Sequence, residues 1–503
     1  MNPLKAHRIR NDPVISKSQY LKGLQCHKAL WLYRHRPDLK PKISPALQHL
    51  FDSGHEVGLL AQKCFGGGVE IVEEYYKIAA TIRSTEEAVA LSPPAVFEAA
   101  ACSLDGAYSR INILRQCRGS GAWDLVEVKS TTSVKGYHID DMALQRHAFA
   151  GAGCNIRKSI LMHIDNQYVK SGPIDTLKLF HLEDCTAEVE AKLSVVRKCL
   201  EPLKAVLASP DEPAVPIGDQ CTAPFACDYI PYCWQHVPSY SVYNIFRGDK
   251  REILLARGIL DVADIPENFD VTQRQGIEID AFNQNRVYVD RAAISKFLDG
   301  FVYPLFFLDY ETINPAVPLY DGTRPYQKIP FQFSLHVQQE KGGPVTHTGF
   351  LHTVSGDPRP DFVKELVGSC GSKGSVVVYN QTFEAGVNET LAETFPEHAA
   401  ALRSVNDRMV DLLVPFRSRF LYHPAMKGSA SLKSVLPALV LALSYSGLAI
   451  ADGETASLMY FKAHKNEVSD DEKKRIYADL QQYCLLDTLA EVKLLEELYR
   501  VVS

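Results

Sequence analysis

Long apolar runs are scarce in this chain of 503 residues. The longest, Val435 to Ile450, is interrupted by Pro437 and by small polar residues. It is too short to span a bilayer, so it predicts a buried helix and no membrane partner. The start of the chain is polar and charged, which argues against a secretory signal. Charge of one sign is also missing: 54 Lys and Arg stand against 60 Asp and Glu, a formal net charge of -6. No global excess therefore points to nucleic acid or to an acidic partner. The 12 cysteines lack the dense spacing of a disulfide scaffold. With no leader in view, that predicts a cytoplasmic protein with reduced thiols, in which a group of cysteines is a candidate metal site. Internal repeats and low-complexity segments are absent.

What is present is the composition of a globular protein, 46% apolar and 23% charged. The length predicts two or three domains. Residues 1–238 mix helices with a strand hairpin and end in a cysteine-rich stretch. Residues 239–300 read as a helical connector, with turn signals at Gly248, Pro266 and Asn268. Residues 301–503 read as strands followed by alternating helix and strand, an α/β layout with a mixed sheet. Local charge is uneven: from Lys5 to Lys42 ten Lys and Arg stand against Asp12 and Asp38. Such a segment is either a phosphate-contacting face or a solvated helix surface.

The C-terminal region carries spaced acids. Asp309 and Glu311 sit two apart on a predicted strand, Leu305 to Glu311, so they share one face. Flanked by Phe306, Phe307 and Leu308, they are costly to bury without a cation. Tyr379-Asn-Gln-Thr-Phe-Glu384 lies where a strand ends and a helix begins, so Glu384 enters from the first helical turn. On the final helix, predicted from Asp470 to Val501, Tyr483 and Asp487 are four apart and share a face. Several carboxylates converging on hard divalent cations are what two-metal phosphodiester hydrolysis needs. Lys427, Ser431 and Lys433 precede an apolar helix and are candidates for a phosphate, or the serines for an N-cap.

These three motifs together resemble the DEDD exonuclease superfamily, of ribonuclease-H-like fold. The first matches as Asp309-x-Glu311, the middle as Asn380-x-x-Phe383-Glu384, and the last as the tyrosine variant Tyr483-x-x-x-Asp487. The resemblance covers residues 301–503. It implies Mg²⁺ or Mn²⁺ held by Asp309, Glu311, Glu384 and Asp487, with Tyr483 orienting the attacking water. One departure stands out: the middle acid is Glu384 where the family usually has Asp, and Asp411 is the runner-up for that role.

Upstream, Ser109 to Leu114 and Asp124 to Lys129 flank the turn Arg118-Gly-Ser-Gly121, a hairpin signal. That turn sets position 112 opposite position 127. Asn112, Glu127 and Lys129 then share a face, and Gln145 lies on a predicted helix from Asp141 to Ala150. Cys221, Cys227 and Cys233 close the region, and Cys26 lies near its start.

This part resembles the PD-(D/E)xK fold of RecB-type nucleases through Glu127-Val-Lys129 and Gln145, and more loosely through Gly54-His55. The resemblance implies metal binding by Glu127 and His55. The expected metal-binding Asp is replaced by Asn112, which leaves the module either impaired by nature or an engineered inactive variant. One early cysteine joined to three late ones is the layout of the iron–sulfur RecB-like nucleases. It implies a [4Fe-4S] cluster on Cys26, Cys221, Cys227 and Cys233, with zinc as the alternative. The two modules in this order resemble a bacterial family that fuses an iron–sulfur RecB-like domain to a DEDD-type domain. The expectation is a metal-dependent nuclease acting on nucleic acid, DNA rather than RNA, as a 3′-to-5′ exonuclease. The alternatives are an RNA-directed exonuclease and a non-catalytic nucleic-acid-binding scaffold in a defence or repair complex.

Overall fold

The computed structural model describes residues 14–503. Lys5, Arg8, Arg10 and Asp12 of the basic stretch lie outside the described residues. The fold is mixed α/β with two mixed sheets, and the chain forms two compact units. The first contains residues 14–236 together with 315–326, and the second contains 237–314 and 327–503.

The first unit is built on strands β1 (Ile15–Ser16), β2 (Val69–Glu70), β3 (Ala95–Cys102), β4 (Ala107–Cys117), β5 (Ala122–Lys129), β6 (Ile156–Ile164) and β7 (Phe180–Asp184). Their order is β2-β3-β4-β5-β6-β7, with β1 also pairing β4. Strands β3, β4 and β5 form an antiparallel meander, β6 runs parallel to β5, and β7 turns back antiparallel. Gly119 and Gly121 adopt positive φ in the β4–β5 turn, a conformation that costs glycine little. The resulting register, Ile113 opposite Val126, sets position 112 against 127. The crossover from β5 to β6 is the helix Gly136–Gly151, longer than the sequence predicts and buried on several sides. It packs against the helix Thr186–Ala208. Ala316, Val317 and Tyr326 join the apolar cluster of Val57, Phe97 and Met162, and the Tyr326 hydroxyl donates to the Ser130 carbonyl. The chain thus returns to this unit long after leaving it.

In the second unit the stretch expected as a connector is part of the fold. Tyr240, Val242, Phe246, Leu254 and Ile279 form a small core of their own, while Ala281, Ile294 and Leu298 enter the main core beside Leu305 and Phe307. A short strand β8 (Tyr288–Val289) precedes β9 (Leu305–Ile313), β10 (Ile329–Gln338), β11 (Val345–Leu351), β12 (Val376–Val378), β13 (Met409–Asp411) and β14 (Leu421–Tyr422). The main sheet has the order β11-β10-β9-β12-β13, antiparallel on the β10 side of β9 and parallel on the β12 side. β8 pairs β14 separately.

The final helix, Asp470–Val502, carries three acids in its first turn, as its dipole favours. Polar pins fix it on β10. Gln332 Nε2 donates to the Leu480 carbonyl at 2.8 Å, and Ser334 and His336 both hydrogen-bond Thr488, at 2.7 and 2.8 Å. The helix expected over Val435 to Ile450 is corrected: it runs Leu432–Leu439 and stops two residues past Pro437. Proline removes a backbone donor and crowds the preceding turn. Leu441 beyond it is 91% exposed.

Candidate functional site

In the second unit, strand alternation turns Asp309 and Glu311 to one face of β9, against the final helix. One oxygen each from Asp309, Glu311 and Asp487 lies within 4.8 Å of the others. Glu384 enters from the first turn of the helix Gln381–Thr394, whose entry residue Asn380 has φ 85°, a left-handed conformation that asparagine tolerates. Glu384 is 2% exposed, and its Oε2 has no hydrogen-bond partner.

Asp411 plays a different part. Its Oδ1 accepts the backbone N–H groups of Asn380 and Leu413, each at 3.0 Å, so it shapes the strand-to-helix turn that delivers Glu384.

A fifth carboxylate, unforeseen in the sequence, completes the group. Glu491 lies one helical turn beyond Asp487, is 1% exposed, and has no side-chain hydrogen-bond partner, only the Tyr379 backbone favouring its ionised form. The i, i+4 spacing was the available signal.

Burial is the main force on these acids, with mutual repulsion behind it. Burial and then Asp487, Glu311 and Glu384 raise Asp309 well above the usual carboxylate range. Glu311 and Glu491 are raised for the same reasons. Burial lifts Glu384 to about 8 and Asp487 to about 6. Asp487 is held lower because the Tyr445 hydroxyl donates to its Oδ1 at 2.5 Å, and because Lys433 and Tyr483 also favour its charged form. Tyr445 sits in an irregular stretch with no periodic signal.

Of the three phosphate candidates, Lys433 reaches the acids and lies over the Tyr445 and Tyr483 rings at 5.8 and 5.6 Å. Lys427 turns away and donates to Ser239 Oγ at 2.8 Å. Ser431 occupies the N-cap position of the helix Leu432–Leu439 but makes no capping bond.

In the first unit, Glu127, Lys129 and Gln145 meet as one hydrogen-bonded group. Lys129 Nζ donates to Glu127 Oε1 at 2.7 Å and to Asp141 Oδ2 at 2.9 Å. Gln145 Nε2 donates to Glu127 Oε2 at 2.9 Å and to Asp141 Oδ1 at 3.0 Å. Lys17 adds a further contact to Glu127 Oε1 at 2.8 Å. Lys129 and Lys17 outweigh the burial of Glu127 and hold its carboxyl at about 2. Asp141 and Lys17 were not singled out from the sequence. Asp141 is visible as the i−4 neighbour of Gln145 on one helix face, whereas Lys17 is remote in sequence.

Asn112 is bound on both ends. Its Oδ1 accepts the Val128 N–H at 2.9 Å, and its Nδ2 donates to Glu98 Oε1 at 3.2 Å. Glu98, in turn, occupies a left-handed backbone position, φ 56°. His55 lies exposed on the helix Pro45–Gln62, outside this group.

Cys26, Cys221, Cys227 and Cys233 line one small cavity. Cys26 sits at the junction of the helices Lys17–Gln25 and His27–His35 in an extended conformation. Burial, with the neighbouring thiols adding to it, raises Cys233 to about 11. The four sulfurs are therefore close enough to repel when ionised. No three of them lie within 4.8 Å of one another.

Among known families, a domain of unknown function, DUF2779, matches residues 306–431, which spans Asp309, Glu311 and Glu384 but not Tyr483 or Asp487. No curated protein matches the chain. No helix of the described residues is long and apolar enough to cross a membrane.

Proposed function

We propose that the second unit is a divalent-metal-dependent nuclease, a 3′-to-5′ exonuclease acting on DNA in the cytoplasm. The observation that carries this reading is the convergence of five carboxylates, with Glu311, Glu384, Asp487 and Glu491 buried and Asp309 partly so, in which Glu384 Oε2 and both oxygens of Glu491 have no side-chain hydrogen-bond partner. Unpaired buried charge of this kind is too costly to persist without a cation. Asp309, Glu311, Glu384, Asp487 and Glu491 would hold the divalent ions. Mg²⁺ or Mn²⁺, when bound, supplies neutralisation of the phosphate and polarisation of the scissile bond.

The chain's own residues do the rest. Lys433 faces the same acids and offers a cation to a substrate phosphate. Tyr483, 4% exposed and packed beside Asp487, keeps its proton because burial and the acids raise it, and so it remains a hydrogen-bond donor able to orient water. The mixed sheet with the final helix on β9 and β10 fits the ribonuclease-H-like resemblance.

The first unit is assigned a [4Fe-4S] cluster on Cys26, Cys221, Cys227 and Cys233. What supports the assignment is that one early and three late cysteines line a single cavity, with zinc as the alternative. The cluster ties the N-terminal helices to the end of the unit and supplies a rigid staple. With Asn112 standing where the resemblance implies a carboxylate, this unit is either impaired in cutting or acts in DNA binding.

The test is incubation of cluster-loaded protein with end-labelled single- and double-stranded DNA and RNA plus Mg²⁺ or Mn²⁺. Stepwise shortening from the 3′ end of DNA, lost in Asp309→Asn, is expected. A preparation with its cluster intact that cleaves nothing refutes the proposal, and cleavage of RNA alone moves the substrate class.

A further inference from the structure

One group of metal-type side chains belongs to neither site. His163 is on β6, and His181 is its cross-strand partner on β7. Glu183 lies two residues beyond His181 and therefore on the same face. One donor atom from each lies within 4.8 Å of the other two.

His163 is 6% exposed. Its Nδ1 lies 3.0 Å from the Ile164 carbonyl, which can only accept, so Nδ1 carries the proton and Nε2 presents its lone pair. That is the arrangement in which a backbone carbonyl fixes a metal-binding histidine. Nε2 stands 3.5 Å from Glu183 Oε2. The separation is longer than the usual 2.7–3.2 Å of a good N–H···O bond. It is close to the edge of a zinc tetrahedron, roughly 3.3–3.5 Å for donors at 2.0–2.1 Å from the ion.

We propose that His163 Nε2, His181 and Glu183 form a binding site for a zinc-class divalent cation. Two imidazoles and a carboxylate are the borderline donors that such ions select over Mg²⁺. His181 and Glu183 are exposed, which leaves the fourth coordination position open to water or to a phosphate oxygen, the pattern of a reactive rather than a closed structural site. The β5–β6 register sets His163 beside Lys129. The site therefore lies on the sheet face of the Glu127 group, whose own carboxylates are filled by lysines. It stands independently of the nuclease reading of the second unit.

The experiment is Co²⁺ titration, followed by difference absorbance, of the full-length chain with its cluster intact and carrying Asp309→Asn, which weakens the acidic site. A cobalt held by His163, His181 and Glu183 gives intense visible d–d bands without the near-ultraviolet thiolate charge transfer that cobalt on the cysteines produces. His181→Ala and Glu183→Gln change exposed residues and leave the core intact. Each is expected to abolish the thiolate-free signal, weakening binding by about a hundredfold. Absence of a thiolate-free cobalt signal, or its survival in both His181→Ala and Glu183→Gln, overturns the assignment.

Discussion

Replacing Glu384 with glutamine should make the metal-free protein more stable and the metal-loaded protein less so. The carboxyl of Glu384 titrates near 8 in the fold, against an ordinary value of 4.5. At pH 7 it is protonated when folded and ionised when unfolded. Because the folded value is raised, stability is fully present below 4.5 and declines as pH rises towards 8. Over the 2.5 pH units from 4.5 to 7, at about 1.4 kcal/mol each, the cost is about 3 kcal/mol. Glutamine copies the protonated shape and avoids that cost. For a unit of this size the gain corresponds to a rise of about 6–12 °C in Tm. It should vanish at pH 4 and approach about 5 kcal/mol above pH 8. With saturating Mg²⁺ or Mn²⁺ the order should reverse, because glutamine is a weaker ligand and loses ligand-linked stabilisation. Differential scanning calorimetry of both proteins at pH 4, 7 and 8.5, with EDTA and with metal, reads all of this. If Glu384→Gln is destabilising in EDTA at pH 7, or gains as much from metal as the natural chain, the buried-acid argument fails.

Three further outcomes follow from named contacts. Tyr483→Phe removes a hydroxyl but no carboxylate, so Mn²⁺ affinity should stay within about twofold while kcat falls by roughly 10²-fold or more; an equal loss of metal binding would make Tyr483 a structural residue. Asn112→Asp sets a second carboxylate against Glu98, and deletes the donor that Nδ2 provides, so metal-free stability should fall by about 1–3 kcal/mol by urea titration. An unchanged midpoint would contradict the Asn112–Glu98 hydrogen bond. Cys227→Ser should abolish the brown iron–sulfur absorbance of protein purified without oxygen, whereas stoichiometric zinc and no iron in the natural chain would exclude the cluster.

Much of the sheet framework is legible in the sequence because local chemistry dictates it. The glycines of the β4–β5 turn set a register that puts Asn112 opposite Glu127. Period-two alternation puts Asp309 and Glu311 on one face, and the helical repeat puts Tyr483 beside Asp487. What escaped the sequence is non-local. Lys17 reaches Glu127 across 110 positions, and Tyr445 reaches Asp487 from an irregular segment. Glu491 was legible in principle, but a glutamate on a helix rich in acids reads as surface until packing is known. The helix over Val435 to Ile450 failed for the opposite reason: its apolar content outweighed Pro437 in the reading, whereas the backbone obeys the proline. The connector, judged by its turns, concealed a core centred on Tyr240 and Phe246.

The segment 315–326 bears on any attempt to dissect the chain. It leaves β9 just after the paired acids and supplies Ala316, Val317 and Tyr326 to the first unit before β10 begins. No single cut yields two whole parts. A fragment ending at 236 lacks its borrowed apolar side chains, and one beginning at 327 has lost Asp309 and Glu311. The two units are interleaved along the chain, each made of two segments, so shuffling or truncation must move two segments at once.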